Sequence, residues 1–409
     1  MKNLENLEAK EPKLIPRKTE EARIFISTGE VSGDLQGSWL IKALQRQAVQ
    51  VGKELEIFAL GGDRMAAAGA TLWANTTAIG SVGILESLPY IWPTLKLQKK
   101  TKEFLQENPP DLVVLIDYLG PNLTIGNYIR QQFPQVPIVY YIAPQEWVWS
   151  LGDKNTTEIV RICDRILAIF PEEARYYQEK GAEVTWVGHP LIDQMQGSPT
   201  REQARKSLGI DGQTKAIALL PASRRQEIKY LLPVMFAAAK QIQDSLSNDV
   251  EFLIPLSNPI YRPDIAEAIA AFGLQGKILE GTDKKNGIAA ADLAITKSGT
   301  VNLEIALLNV PQVVIYRLNP ITAWILGTLL KFSIPFMSPT NLVLMKSIVP
   351  ELLQDEVTSE NIVRESRPLL QDSEKRQQVL LDYEKMCQAL GKIGAVDRAA
   401  RSILEILSR

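Results

Sequence analysis

Asp117 is the first candidate for chemistry in this chain, because of the segment that precedes it. The sequence LVVLI directly before it is wholly apolar, which is typical of a buried strand in a parallel sheet, and Gly120-Pro121-Asn122 comes shortly after. A carboxylate at the carboxyl end of such a strand faces the ligand-binding edge of the sheet and is partly shielded from water. Both properties suit a general base. The alternative is that Asp117 caps the next helix or anchors the loop.

The turn GEVSGD (29–34) follows the first apolar run of the chain, RIFIST. Gly29 and Gly33 permit a tight turn and a close backbone approach, and the helix that follows offers its amino end to an anion. The acidic Glu30 argues against a simple pyrophosphate cradle. Taken alone, this pattern favours an ordinary strand-to-helix loop in which Asp34 is the N-cap of the helix.

A basic turn, PASRRQE (221–227), follows the first apolar run of the second half. Its Arg224 and Arg225 come where a strand ends and a helix begins. Guanidinium groups pair bidentately with phosphate oxygens, so the turn is a candidate phosphate site. The alternative is surface charge at the start of a helix.

The polar turn in TKSGTVNLE (296–304) strengthens the functional prediction for that half. Ser298, Gly299 and Thr300 open a helix whose backbone amides could hold a diphosphate. Glu304 lies about one helical turn further on, and its carboxylate could accept both hydroxyls of a ribose. Together the two turns indicate a nucleotide-sugar site.

The elements that position these turns follow an α/β pattern, in which short apolar runs alternate with amphipathic stretches. The pattern restarts after Pro190, so we expect two α/β domains with a ligand cleft between them. The predicted divisions are a poorly ordered tail (1–20), two Rossmann-like domains (21–193 and 194–372), and C-terminal helices (373–409) that pack back towards the first domain. The predicted strands are 23–28, 56–60, 111–117, 136–143, 165–170 and 184–188, then a strand and loop over 216–224, and 250–256, 276–281, 292–299 and 311–316.

Composition excludes several classes of function. The 409 residues carry a formal net charge of −2, which argues against a generally basic nucleic-acid-binding protein. Two cysteines and the single His189 cannot form a Cys/His zinc site, so we expect no metal, and His189 is interpreted as a hinge or ligand-orienting residue. The N-terminus is polar and resembles no secretory signal. A cytosolic protein with reduced thiols is the simplest expectation.

Two apolar segments, 82–105 and 321–337, could contact a membrane. In the first, Ile91, Trp92, Leu95 and Leu97 could face lipid while nearby lysines meet headgroups. The second is interrupted by Lys331 and Pro335, so it could lie on a bilayer but not cross it comfortably. The alternative for each segment is a helix packed in the core.

Ten motifs, in their order along the chain, resemble those of the lipid-A-disaccharide synthase family and span about residues 23–390. They are GEVSGD, GGDRMAAAG, VGILESL, LIDYLGPN, YYIAPQEWVW, FPEEARYY, VGHPLID, LLPASRRQEI, SGTVNLEIALLNVPQVVIYRLNPIT and NLVLMKSIVPELLQ.

This resemblance implies a glycosyltransferase B fold of two Rossmann-like domains facing a cleft. It implies an inverting transfer of 2,3-diacylglucosamine from UDP to the 6-hydroxyl of 2,3-diacylglucosamine 1-phosphate, which forms a β-1,6 disaccharide. No cofactor or metal is implied, and no nucleic acid. The implied location is the cytoplasmic face of the inner membrane, whose surface would be a partner, and a homodimer is compatible with the sequence.

The resemblance also assigns roles to individual residues. Asp117 would be the general base, and Arg224 would offset charge on the leaving diphosphate. Glu30, Ser32 and Asp34 would lie near the acceptor. The residues implied to bind UDP or line its site are Ser298, Gly299, Thr300, Glu304, Arg317 and Asn341.

The chain also departs from the family pattern. Ala222 replaces the glycine of the family's LPGSR, and the stretch after the tryptophans reads WVWSLGDKNTTEI where the family is usually basic. Fewer cations should weaken contact with an acidic membrane or a phosphorylated acceptor. Two alternatives therefore stay open: a transferase or epimerase with a soluble UDP-sugar, and a non-catalytic homologue. A nicotinamide-dependent enzyme is disfavoured because GxGxxG is absent.

Overall fold

The chain divides into two compact units in a computed structural model that describes residues 21–77, 91–148, 152–221, 225–246, 249–317, 335–371 and 373–408. The first unit contains the residues up to Asp193 together with those from Leu390 onward. The second contains Gln194–Ala389. The predicted 1–20 tail and residues 82–90 and 321–334 of the two apolar segments lie outside the described residues.

Within the described residues of the first unit, seven parallel strands form one sheet in the order β3-β2-β1-β4-β5-β6-β7. The strands are β1 (Glu21–Ser27), β2 (Glu54–Gly61), β3 (Thr71–Asn75), β4 (Leu112–Ile116), β5 (Ile138–Tyr141), β6 (Arg165–Ala168) and β7 (Val184–Trp186). The helices are α1 (Val31–Gln50), α2 (Asp63–Ala67), α3 (Ile91–Glu107), α4 (Leu119–Gln132), α5 (Lys154–Ile162), α6 (Pro171–Glu179) and α7 (Leu191–Gln194), the last of which ends in the second unit.

Within the described residues of the second unit, six parallel strands follow the order β10-β9-β8-β11-β12-β13. These are β8 (Lys215–Leu220), β9 (Val250–Pro255), β10 (Gly276–Leu279), β11 (Leu293–Lys297), β12 (Gln312–Tyr316) and β13 (Glu351–Leu353). The helices are α8 (Arg201–Leu208), α9 (Arg225–Ser245), α10 (Arg262–Phe272), α11 (Asp283–Ala289), α12 (Val301–Leu307), α13 (Pro339–Leu342), α14 (Ser359–Leu370) and α15 (Glu374–Leu390). Short 3₁₀ turns cover Pro259–Tyr261 and Gln354–Glu356.

The apolar runs form these strands because helices cover both faces of each sheet. Every residue of β4 is at most 1% exposed, as expected for a central parallel strand. On one face of the first sheet, the rings of Trp73 and Phe104 stack with centroids 4.3 Å apart, and Phe58 meets Phe104 edge-on at 5.2 Å. This packing confirms the predicted class of Rossmann-like α/β sheets.

Each sheet has a point at which the strand order reverses direction. In the first sheet, β1 pairs directly with β4, so β2 and β3 extend to one side and β5 to β7 to the other. In the second sheet, β8 and β11 meet in the same way. Ligands of doubly wound sheets bind beyond the carboxyl ends of the strands at such a point. The two reversal points are therefore where a ligand is expected to bind in each unit.

Two short strands were not expected from the sequence. β3 lies at an edge of its sheet, where a turn-rich segment precedes TLWAN, and β13 has only three residues. Both are edge strands whose apolar pattern is too short to be distinguished from loop.

The C-terminal segment predicted as helical contains two helices that belong to different units. α15 lies in the second unit up to Ala389, whereas α16 (Ala395–Leu407) lies in the first. In the first unit, α16 packs along α1, and Arg46 pairs with Asp397 across that contact. The predicted segment 373–409 is thus divided between the two units.

The part of the 82–105 segment that the structure describes is the helix α3. Trp92 and Leu95 are 80% and 56% exposed, as a lipid-facing surface would require. Leu97 is buried in the core, so its predicted place on that surface is wrong. Among the described residues, no helix has both the length and the apolar character needed to span a bilayer.

We expect Asp193→Ala to destabilise the first unit, because the carboxylate of Asp193 accepts the N–H groups of Gly394 at 2.6 Å and Val396 at 2.9 Å, at the start of α16. Loss of such a cap costs about 1–2 kcal/mol. Urea unfolding followed by circular dichroism measures the change. The exposed Asp355→Ala serves as the control and should change stability by less than about 0.5 kcal/mol; equal losses in both variants would contradict the capping role.

Candidate active site

The backbone of Asp117 has an unusual conformation at the carboxyl end of β4. Asp117 and Tyr118 have φ angles of +46° and +52°, in the left-handed region that residues with a Cβ rarely adopt. Such a conformation costs about 1–3 kcal/mol for each residue and persists only where the surroundings hold it. The Asp117 N–H donates to the carbonyl oxygen of Ile142 at 3.0 Å, beyond the end of β5.

Two buried side chains hold the carbonyl oxygen of Asp117. Asn122 donates to it through Nδ2 at 2.7 Å, and the Tyr140 hydroxyl donates at 2.6 Å. Asn122 is fully buried and accepts the Ser27 hydroxyl at 2.7 Å through Oδ1. The ends of β1, β4 and β5 are therefore joined by hydrogen bonds around Asp117, which leaves its carboxylate as the part that can react.

The surroundings of the Asp117 carboxylate favour its protonated form. Burial and, to a smaller extent, the nearby charge of Glu30 raise the pKa of Asp117 to about 6, against the lowering effect of the backbone N–H of Tyr118. The carboxylate is thus ionised at neutral pH yet more basic than an ordinary aspartate, as a general base should be. The role of Asp117 as a general base stays a prediction.

The GEVSGD turn lies beside Asp117, across the reversal point of the first sheet. Gly29 packs against the ring of Tyr118, and a Cβ on Gly29 would lie 2.2 Å from that ring. Glu30 occupies the N-cap position of α1 with extended backbone, and Ser32 is exposed in the first turn. The glycine is therefore required for the close contact with Tyr118, and Glu30 is held near the candidate base.

Asp34 has a different local role from the predicted one. It is 4% exposed, and its Oδ1 accepts the N–H groups of Gly62 at 2.8 Å and Met65 at 3.1 Å. Its Oδ2 accepts the N–H of Arg64 at 3.3 Å. Asp34 therefore holds the start of α2 rather than capping α1, and three amides already surround the carboxylate that was predicted to contact the acceptor.

Glu173 is a buried carboxylate that the sequence analysis missed. It is 1% exposed; its Oε1 accepts the N–H of Ala143 at 3.0 Å, and its Oε2 accepts those of Ile169 and Phe170 at 2.8 and 3.2 Å. Burial, with a smaller contribution from the charge of Asp117, raises the pKa of Glu173 to about 7 against the lowering effect of the three N–H groups. Glu173 ties the loops after β5 and β6 together. The available signal was a glutamate three residues after the N-cap position Phe170, with proline at the first helical position.

His189 lies in the first unit and is 4% exposed. Burial lowers the pKa of His189 to about 3, so the ring is neutral, and Nδ1 accepts the N–H of Leu191 at 3.1 Å. The His189 N–H donates to the carbonyl oxygen of Leu390 at 2.8 Å, where the chain re-enters the first unit. Among the described residues, no three His, Cys, Asp or Glu side chains cluster as metal ligands.

The SGT turn of the second unit follows β11 at the reversal point of that sheet. The Ser298 hydroxyl donates to the carbonyl oxygen of Met337 at 2.6 Å, and the Gly299 N–H donates to Oδ1 of Asn302 at 2.8 Å. The backbone N–H of Gly299 therefore already has a hydrogen-bond acceptor within the protein. Thr300 is exposed at the N-cap position of α12. Glu304 is half-buried on α12; burial raises its pKa and the charge of Lys285 opposes the rise.

Asn341 is fully buried and its amide is saturated by the protein. Oδ1 accepts the N–H groups of Ile348 and Val349 at 2.8 and 2.9 Å, while Nδ2 donates to the carbonyl oxygen of Val349 at 3.0 Å and to Glu351 at 2.7 Å. Each side-chain donor and acceptor of Asn341 thus has a partner within the protein, and its assignment to the nucleotide site stays a prediction. Glu351 also accepts the N–H of Met337, which links Asn341 to the loop that holds Ser298.

The remaining predicted residues are only partly described. Arg317 is half-buried and directly follows β12. Arg224 lies in the 222–224 segment outside the described residues. An ion pair that was not predicted joins Lys297 and Glu227, which belong to the polar and the basic turn of the second half.

We expect Asp34→Ala to lower the free energy of unfolding by about 2–3 kcal/mol, because three N–H groups lose a buried acceptor. Ser32→Ala, at an exposed position of the same turn, should change it by less than about 0.5 kcal/mol. Urea titration of both variants gives the comparison. If Asp34→Ala were as stable as the unchanged protein and lost only affinity for the acceptor, the prediction that Asp34 binds the acceptor would be supported instead.

Comparisons with known proteins identify the family. The family profile described as Lipid-A-disaccharide synthetase matches residues 24–406. A Lipid-A-disaccharide synthase of Gloeothece citriformis is 59% identical over 383 residues, covering 94% of this chain and 99% of the relative. One from Synechocystis is 54% identical over 384 residues, covering 94% and 97%.

Solved structures with low sequence identity share the fold. The S. aureus MnaA-UDP co-structure matches with a TM-score of 0.65 at 16% identity, covering 95% of this chain and 98% of that one. Acinetobacter baumannii MurG matches with a TM-score of 0.58 at 16% identity, covering 94% and 99%. The predicted resemblance and glycosyltransferase B fold are confirmed: the chain belongs to the lipid-A-disaccharide synthase family and is a glycosyltransferase of lipid A biosynthesis.

Proposed function

We propose that this chain transfers 2,3-diacylglucosamine from UDP to the 6-hydroxyl of 2,3-diacylglucosamine 1-phosphate, with inversion at the anomeric carbon. The family supplies the class of reaction, with a UDP-sugar and lipid-linked substrates. The observation that carries the proposal is the Asp117 carboxylate, held at the end of β4 with a pKa raised to about 6. It is the group suited to removing the proton of the attacking hydroxyl.

The reaction is a single displacement. The acceptor oxygen forms a bond to the anomeric carbon while the bond from that carbon to the UDP oxygen breaks, and UDP leaves with the electron pair. The proton of the acceptor hydroxyl passes to Asp117. A positioned base contributes typically about 10²–10⁴-fold to such a step, and attack from the face opposite UDP produces the β-1,6 linkage.

The acceptor is assigned to the first unit. Glu30 and Ser32 lie on the turn beside Asp117 and are suited to hydrogen bonding with sugar hydroxyls. The exposed Trp92 and Leu95 of α3 support contact of the same unit with acyl chains or the cytoplasmic surface of the inner membrane. Asp34 contributes by holding α2 in place.

The nucleotide is assigned to the second unit. Support comes from the polar SGT turn at the reversal point of the sheet and from the half-buried carboxylate of Glu304 one helical turn later. Thr300 and Glu304 are the residues proposed to contact UDP, together with Arg317 and Arg224. Ser298 is proposed to present its hydroxyl oxygen as an acceptor, since its proton is donated to Met337.

We expect Asp117→Asn to reduce acceptor-dependent UDP release at least about 100-fold, because the amide cannot accept the proton. UDP release is measured in detergent with UDP-2,3-diacylglucosamine, with and without the monosaccharide 1-phosphate. UDP affinity, measured calorimetrically, should be unchanged in this variant. Release without the lipid acceptor, or full activity of Asp117→Asn, would contradict the proposal, and the first result would favour a soluble acceptor.

The rate should fall as pH drops below about 6, because protonation of Asp117 removes the base. Glu30→Gln removes the neighbouring charge that raises the pKa of Asp117, so the acidic limb should move to lower pH. The pH profile is obtained from rates of UDP release between about pH 5 and about pH 8, a range that spans the pKa of Asp117 at about 6. Ser32→Ala, which changes no charge, is the control, and an acidic limb that stays in place in Glu30→Gln would refute the coupling.

A further inference from the structure

A partly buried ion pair joins the two polar turns at the reversal point of the second sheet. Nζ of Lys297, the last residue of β11, lies 3.2 Å from Oε1 of Glu227, in the first turn of α9. Both side chains are 17% exposed. Since β8 and β11 are neighbours, the pair spans the place where a doubly wound sheet binds its ligand.

The lysine is folded over the SGT turn. A Cβ placed on Gly299 would lie 3.5 Å from both Cε and Nζ of Lys297, so the ammonium rests against the backbone of that turn. The turn itself is fixed, because Asn302 donates to the Lys297 carbonyl oxygen at 3.1 Å and accepts the Gly299 N–H at 2.8 Å. The cation is therefore held at a defined place beside Ser298 and Thr300.

The position of this ion pair is not explained by a contribution to stability. Partial removal of two charges from water offsets much of their mutual attraction, so such a pair adds little net stability. An ammonium close to a ligand crevice can instead exchange its carboxylate partner for an anionic ligand. Lysine binds phosphate as a compact point charge with three donors.

We propose that Lys297 binds the diphosphate of the nucleotide and that Glu227 holds the ammonium in place until the nucleotide arrives. The inference rests on the proposed assignment of UDP to the second unit and extends it to a residue pair. On binding, the diphosphate would replace Glu227 as the partner of Lys297. During transfer, the same cation would offset the charge that develops on the departing UDP.

The test compares Lys297→Met and Glu227→Gln in binding of UDP, UMP and uridine by titration calorimetry. Lys297→Met should weaken UDP binding about 10- to 100-fold, as loss of a charge-assisted contact does. Uridine binding should change by less than about twofold, because uridine has no phosphate. Glu227→Gln should bind UDP at least as tightly as the unchanged protein, since the competing carboxylate is gone.

Lys277→Met is the matched control. Lys277 pairs with Glu251 at 2.6 Å on the same sheet, but near the amino end of β10, away from the crevice. This variant should bind UDP as the unchanged protein does. Lys297→Arg should retain most of the preference for UDP over uridine, and urea unfolding confirms that each variant is folded.

The outcomes separate the inference from the proposed function. Equal weakening of UDP binding in Lys297→Met and Glu227→Gln would show a structural ion pair and overturn the inference alone. The inference also fails if Lys297→Met weakens uridine binding as much as UDP binding. Failure of the unchanged protein to bind UDP would overturn the nucleotide assignment and the inference with it. If Lys297→Met weakens UDP binding but the unchanged protein shows no acceptor-dependent UDP release, the inference is supported and the proposed acceptor is contradicted.

Discussion

The left-handed backbone at Asp117 and Tyr118 is the constraint on which the candidate site depends. Hydrogen bonds from Asn122 and Tyr140 to the Asp117 carbonyl oxygen, and from the Asp117 N–H to Ile142, offset the cost of this conformation. They come from different elements, so the conformation exists only when the sheet is assembled. A reactive carboxylate is thereby placed at the reversal point of the first sheet by contacts to its backbone.

The carboxylates of the first unit have either a structural role or an effect on the candidate base. Glu173 and Asp34 are buried and accept three backbone N–H groups each, so they fix the loops after β5 and β6 and the start of α2. Glu30 remains half-buried beside Asp117 and raises its pKa. The two structural carboxylates are therefore occupied by backbone N–H groups, whereas Glu30 acts on Asp117 through its charge.

The second unit has a corresponding reversal point with different side chains. Its reversal point carries the SGT turn, the half-buried Glu304 and the Lys297–Glu227 pair. The loop that supports Ser298 is held in turn by Glu351, which accepts the amide of Asn341. This unit therefore places an ammonium between two carboxylate-bearing elements, α9 and α12.

The α/β class and the position of Asp117 could be predicted from the sequence, because apolar runs followed by polar turns mark the carboxyl ends of parallel strands. The family could be predicted from the order of its motifs along the chain. Tertiary structure decided which polar residues remain available for chemistry. Asp34 and Asn341 share motifs with candidate site residues, yet their partners are backbone groups in other segments. Glu227 and Lys297 are 70 residues apart and meet only because β8 and β11 are adjacent. The local sequence pattern locates a residue on a strand, helix or turn. Its hydrogen-bond or ion-pair partner depends on how the strands are ordered in the sheet.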